Sequence, residues 1–265
     1  MKTNFFSVLI TDCLDENARG RQLARLATLL PSATAFVGVR SDLEAAGNLV
    51  DALAAGEGGE GVILVNVAPR QHVQDTWENG SPFGYFWFKK TLVIATIDGR
   101  TLSLVRKLGL AESINVLHIP TVVEIMYKHG MVSKGEAAQI SDTQFRSLEF
   151  VPRAAALLLE EKKLPAKERS LKDDPEAPLA IWWIDNFGNC KTTLLHQDIA
   201  VTGEGTVALS FGVLPYVARL RDVSDGARAL IQGSSGMPDR RFLEIVVQGK
   251  DGASELNLFS GMEVL

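Results

Sequence analysis

The feature that most constrains this chain is a change of texture along it. Through the first half, short apolar runs alternate with segments of helical period. Residues 5–10 form an apolar run ending at Thr11-Asp12, and residues 17–30 carry Leu23, Leu26 and Leu30 at helical spacing. A strand is expected over 33–39. A helix follows to about residue 55, opened by Ser41 with Glu44 three residues on, the pattern of a capping box. Residues 62–67, 91–97 and 115–119 read as strands, the first two of the continuous apolar kind that is covered on both faces. A long helix is expected over 143–161, and His129-Gly130 has the look of a helix C-terminus. Such alternation predicts an α/β domain: a mostly parallel sheet with helices on both faces.

The texture changes after residues 160–178 (EEKKLPAKERSLKDDPEAP), a charge-dense stretch with three prolines. Beyond it, residues 179–184, 206–211 and 242–247 are short β-rich runs separated by Gly, Asp and Asn turns. The expected organisation is an α/β N-terminal domain over residues 1–163, a charged linker over 164–178 and a smaller all-β C-terminal domain over 179–265. A length of 265 residues is ample for two cores.

Charge narrows the partners. A net charge of −5 argues against a nucleic-acid or anionic-membrane surface. No apolar run approaches membrane-spanning length. The two cysteines, Cys13 and Cys190, lie far apart, which fits buried thiols in a reducing cytoplasm. No His, Cys and carboxylate cluster has metal spacing, so no metal is expected. The glycine-rich residues 56–61 lack the Lys and Ser/Thr of a phosphate loop and read as a flexible break. The aromatic run Phe83-Gly84-Tyr85-Phe86-Trp87-Phe88 is expected to pack at a subunit interface or to lid a pocket.

Two C-terminal turns are the most specific signals. Asp185-Asn186-Phe187-Gly188-Asn189-Cys190-Lys191-Thr192 resembles the D-x-F-G-N-x-x-T signature of the SAM hydroxide adenosyltransferase family, which also includes SAM-dependent fluorinases and chlorinases. The run from Leu243 to Val264 is similar to its L-E-I-A-V-x-x-G-N-A ending. Leu9-Ile10-Thr11-Asp12 resembles its opening T-D-F-G, with Cys13-Leu14 in place of Phe-Gly. Phe150-Val151-Pro152-Arg153-Ala154-Ala155 resembles the F-A-P-x-A-A that follows F-H-G-R-D.

The resemblance implies a cytoplasmic homotrimer that binds S-adenosylmethionine, or an adenosine-like relative, at a subunit interface. S-adenosylmethionine is then the substrate, with no further cofactor, and a nucleophile displaces methionine from ribose C5′. Asp12 matches the carboxylate that accepts from ribose hydroxyls; as a residue, Asp12 or Asp15 could equally cap a helix. Asp185 and Asn189 match positions near the methionine ammonium and the nucleoside, with Phe187 as an apolar wall. Gly252 and Ala253 match a backbone segment facing the adenine edge. Arg240 matches an arginine that can grip a carboxylate, or is simply a loop residue.

The catalytic positions depart from the family. Its V-V-D-P-G-V-G motif stands here as Leu64-Val65-Asn66-Val67-Ala68-Pro69-Arg70, so Asn66 replaces the aspartate, and Arg70 is the candidate for the family arginine. Residues 143–149 occupy the F-H-G-R-D place without a histidine, and His72 is the candidate replacement. An asparagine cannot act as a general base. An inactive nucleoside-binding homologue is therefore the competing expectation.

Overall fold

The computed structural model describes residues 5–68, 82–143 and 145–265. The chain has a two-domain α/β fold and divides into compact units over 1–175 and 176–265. The first unit runs β1 (Phe6–Thr11), α1 (Glu16–Ala27), β2 (Thr34–Gly38), α2 (Asp42–Ala55), β3 (Gly61–Asn66), β4 (Phe83–Phe88), β5 (Thr91–Thr96) and α3 (Ser103–Lys107). It continues through β6 (Ser113–Leu117), α4 (Ile119–Lys128), α5 (Lys134–Asp142), α6 (Arg146–Glu149), α7 (Val151–Leu159) and β7 (Ala166–Ser170). Its 7-stranded sheet has the order β2-β1-β3-β5-β4-β6-β7. The β2-β1-β3-β5 part is parallel, and β4 and β7 run against their neighbours.

The two-residue period of the strands divides the core. Leu9, Val62, Leu64, Leu92 and Ile94 face one side, with Leu26 of α1, Val122 and Met126 of α4, and Ala154 and Leu158 of α7. Ile10, Ile63, Val65, Val93 and Ala95 face the other, with Leu49 and Leu53 of α2 and Val105 of α3. This two-sided burial is why β3 and β5 read as unbroken apolar runs.

Several expectations need correcting. The aromatic run 83–88 is β4 itself, antiparallel to both β5 and β6 inside the sheet. Phe83 and Phe86 are buried on opposite faces, while Trp87 is 45% exposed. The long helix expected over 143–161 is broken into α6 and α7 at Phe150, because Pro152 in the first turn of α7 cannot continue a helix begun earlier. Part of the expected linker 164–178 is β7, an edge strand on β6 whose polar side chains hid it. The Ser41 cap holds, but Glu44 turns to the Arg40 backbone N–H (2.7 Å).

The second unit contains β8 (Ile181–Ile184), β9 (Cys190–Thr192), β10 (Thr206–Leu209), β11 (Gly212–Val217), β12 (Arg228–Met237), β13 (Arg240–Val247) and α8 (Gly252–Leu256). Its 6-stranded sheet has the order β10-β11-β12-β13-β9-β8, mixed because β11 and β12 are parallel. One face is packed by Ile181, Leu230, Leu243 and Ile245 together with Ala253 and Leu258.

Candidate functional site

Strand order in the first unit creates a natural ligand position. From β1 the chain crosses through α1 to β2 on one side, whereas β3 lies on the other side of β1. In open parallel sheets, ligands sit outside the carboxyl ends of the strands where the order reverses in this way. The residues at that point are Thr11, Asp12 and Cys13 after β1, and Asn66 to Ala68 after β3.

They are tied together by hydrogen bonds. The Asp12 backbone N–H donates to the Asn66 carbonyl (3.2 Å), extending the β1–β3 ladder past its last pair. Buried Thr11 turns its Oγ1 to accept from the Cys13 N–H (3.1 Å) and from Asn66 Nδ2 (3.3 Å). Asp12 Oδ2 accepts from the Ala68 N–H (3.1 Å). Asp12 does not cap α1; that role belongs to Asp15, which accepts from the Ala18 N–H at 2.8 Å. The Asp12 carboxylate is thus left at the strand edge. Cys13 lies 3.8 Å from both Asn66 Nδ2 and Asp12 Oδ1, and burial pushes its thiol up. It is therefore a protonated thiol at neutral pH. Arg70 and His72 lie outside the described residues.

In the second unit, two turns distant in sequence meet. Asp185 Oδ1 accepts from the backbone N–H groups of Phe187 (2.8 Å) and Asn189 (3.0 Å), and Oδ2 accepts from Asn189 Nδ2 (3.1 Å). Asp185 and Asn189 therefore shape the loop between β8 and β9 and turn Phe187 outward, 69% exposed. Gly188 adopts a φ of 79°, and its carbonyl accepts from the Ala253 N–H at 2.9 Å. Asp251 caps α8 through the Ser254 N–H (2.8 Å), and Gly252 and Ala253 are buried beneath it. The Asp251-Gly252-Ala253-Ser254 order is a helix-start signal carried in the sequence itself.

Cys190, just past this loop, is buried. Its thiol is pushed up to about 12, by burial first and then by the carboxylates of Asp251, Asp185 and Glu244. Arg240 stands apart from the two turns. It opens β13 beside Asp239 (3.4 Å), whereas the turns lie at the Val247 end, on the order of 20 Å away at ~3.4 Å per residue. Among the described residues, no group of three or more His, Cys, Asp or Glu could hold a metal ion.

No protein-family model matches this chain, and no curated protein matches it. Solved structures do. An uncharacterized conserved protein from Thermotoga maritima is similar with a TM-score of 0.68 at 18% identity, covering 98% of this chain and 100% of its own. A conserved hypothetical protein from Thermus thermophilus has a TM-score of 0.60 at 19% identity, covering 98% of this chain and 100% of its own. These likenesses establish a shared fold across nearly the whole chain. Among the described residues, no helix is long and apolar enough to cross a membrane.

Proposed function

We propose that this protein binds S-adenosylmethionine, or a related adenosine compound, and displaces methionine from ribose C5′ with a small nucleophile such as water. The proposal takes the two units as the α/β and β domains of the SAM hydroxide adenosyltransferase family, assembled as a cytoplasmic homotrimer with the ligand at a subunit interface. The observation that carries it is the Asp12 carboxylate, left uncommitted to helix capping at the strand-order reversal beside the end of β3. A carboxylate there can accept from ribose hydroxyls.

The loop held by Asp185 and Asn189 offers the exposed ring of Phe187 as an apolar wall for the nucleoside. The backbone around Gly252 and Ala253 meets the adenine edge, whereas Arg240, at the far end of β13 from both turns, is too distant to grip the carboxylate of the same ligand. The chemistry asks little of the protein. Water forms the new C5′–O bond as the C5′–S bond breaks, methionine leaves as a neutral thioether, and the proton passes to solvent. Position and partial desolvation supply most of the acceleration. Asn66 can orient the water by hydrogen bonding but cannot take its proton.

The substitution of Asn66 for the family aspartate favours a second reading, a nucleoside-binding homologue without turnover. Purified protein incubated with S-adenosylmethionine and chromatographed for adenosine and methionine decides between them. Turnover supports the enzyme. Calorimetric binding of S-adenosylmethionine or adenosine without turnover supports the second reading, and absence of both overturns the ligand assignment.

A further inference from the structure

A second cleft, of about 300 Å³, opens in the helical layer of the first unit, lined by Arg25, Glu136, Gln139, Ile140, Thr143, Glu149 and Arg153. That volume is at the lower end for small-molecule sites. Its chemistry is unusual for a surface crevice, because two guanidinium groups and two carboxylates line one small space. Arg153 on α7 is only 5% exposed. Its bonds to the described residues both leave from Nη1, to the Glu149 carbonyl (2.6 Å) and to Glu149 Oε2 (3.2 Å). Among the described residues, the Nε and Nη2 donors of this guanidinium meet no acceptor. Arg25 on α1 reaches the same Glu149 oxygen at 3.4 Å from Nη2. One carboxylate oxygen thus serves two arginines, fewer acceptors than the donors around it can use.

Glu136 on α5 completes the ring. The Ser133 backbone N–H, donating to its Oε2 (2.7 Å), and the Ser133 side chain hold its carboxyl below the usual range, with smaller contributions from Arg153 and Arg25. It is a carboxylate at neutral pH. Ile140 is buried and gives the cleft an apolar element.

We propose that this cleft is a binding site for a small zwitterion, an α-amino acid. Its carboxylate lies against the unused donors of Arg153 and against Arg25, and its ammonium against Glu136 and Glu149. A bare anion would meet the two glutamates, and a bare cation the two arginines; a ligand carrying both charges satisfies both pairs. None of the lining residues belongs to the β1–β3 edge, and the inference does not rest on the function proposed above.

The test is calorimetric titration of the full chain with each of the twenty free amino acids, and with acetate and methylammonium as half-ligands. At least one amino acid should bind one per chain, and both half-ligands at least tenfold more weakly. Arg25→Met and Glu136→Gln, both at partly or fully exposed positions, should each weaken the amino acid tenfold or more. Glu136→Gln should not weaken acetate. Arg153→Met is informative where it folds, and the other two variants decide where it does not. No binding by any amino acid overturns the proposal. So does binding that Arg25→Met and Glu136→Gln leave unchanged, including methionine binding lost only in Asp185→Asn, which belongs to the site of the second unit.

Discussion

Asp12 and Asn66 are joined across the carboxyl edge of neighbouring parallel strands, the Asp12 N–H donating to the Asn66 carbonyl at 3.2 Å. Their side chains leave that link in different company. Asn66 Nδ2 turns back to Thr11 Oγ1, and the Asp12 carboxylate holds the Ala68 N–H. One residue is bound into the edge; the other presents a charge there.

Asp12→Asn keeps an acceptor for the Ala68 N–H but removes the charge. Stability should change by less than about 1 kcal/mol, while affinity for adenosine falls tenfold or more, as expected for a charge-assisted hydrogen bond of ~1.5–3 kcal/mol. Urea unfolding and calorimetry on the same variant check both.

Asn66→Asp restores the aspartate of the resembled family but loses the donor to Thr11 Oγ1 and places a second carboxylate beside Asp12. It should be destabilised by about 1–3 kcal/mol. Under the enzyme reading, release of adenosine from S-adenosylmethionine should nevertheless rise above the parent rate.

Gly188→Ala should destabilise the protein by about 2–4 kcal/mol. The position has a φ of 79°, and a Cβ there would lie 2.2 Å from Asp251 Oδ1. Relief would break the α8 cap, so a drop in the unfolding midpoint should accompany the loss of binding.

Phe187→Ala makes the opposite separation. The ring is 69% exposed, so removing it should alter stability by no more than about 0.5 kcal/mol. Affinity for adenosine should fall by about tenfold, and sedimentation should show a weaker assembly if a neighbouring subunit covers the ring.

Cys190 sets a signature at high pH. Its thiol is raised from 9.0 to about 12 in the folded chain, so the folded state favours the proton. That contribution is complete below the unfolded value and is lost as pH climbs from about 9 towards 12. The stability advantage of the parent over Cys190→Ala should therefore shrink across that window. In the native protein, Cys13 should react with a thiol reagent before Cys190 does.

Much of the fold was legible because local patterns agree with burial. β1, β3 and β5 are apolar on both faces, Ser41 does cap α2, and His129-Gly130 does end α4, with Gly130 at a φ of 69°. Local texture misleads where tertiary context outweighs it. β7 is polar because it lies at an edge, and β4 looks like an isolated aromatic patch until its neighbours β5 and β6 are in place. Of the candidate site, Asp12 stood out for its place after an apolar run, but nothing local says whether Asp12 or Asp15 caps the helix.

By itself, then, the sequence determined which segments are strands with two buried faces, where the texture changes, and which turns carry polar side chains. Those properties depend on neighbours a few residues away. Tertiary structure alone decided that Asp12 meets Asn66, that Gly188 meets Ala253, and that Arg240 stands at the other end of its strand from both turns. These relations depend on strand order and register, which bring together residues that no short-range pattern connects.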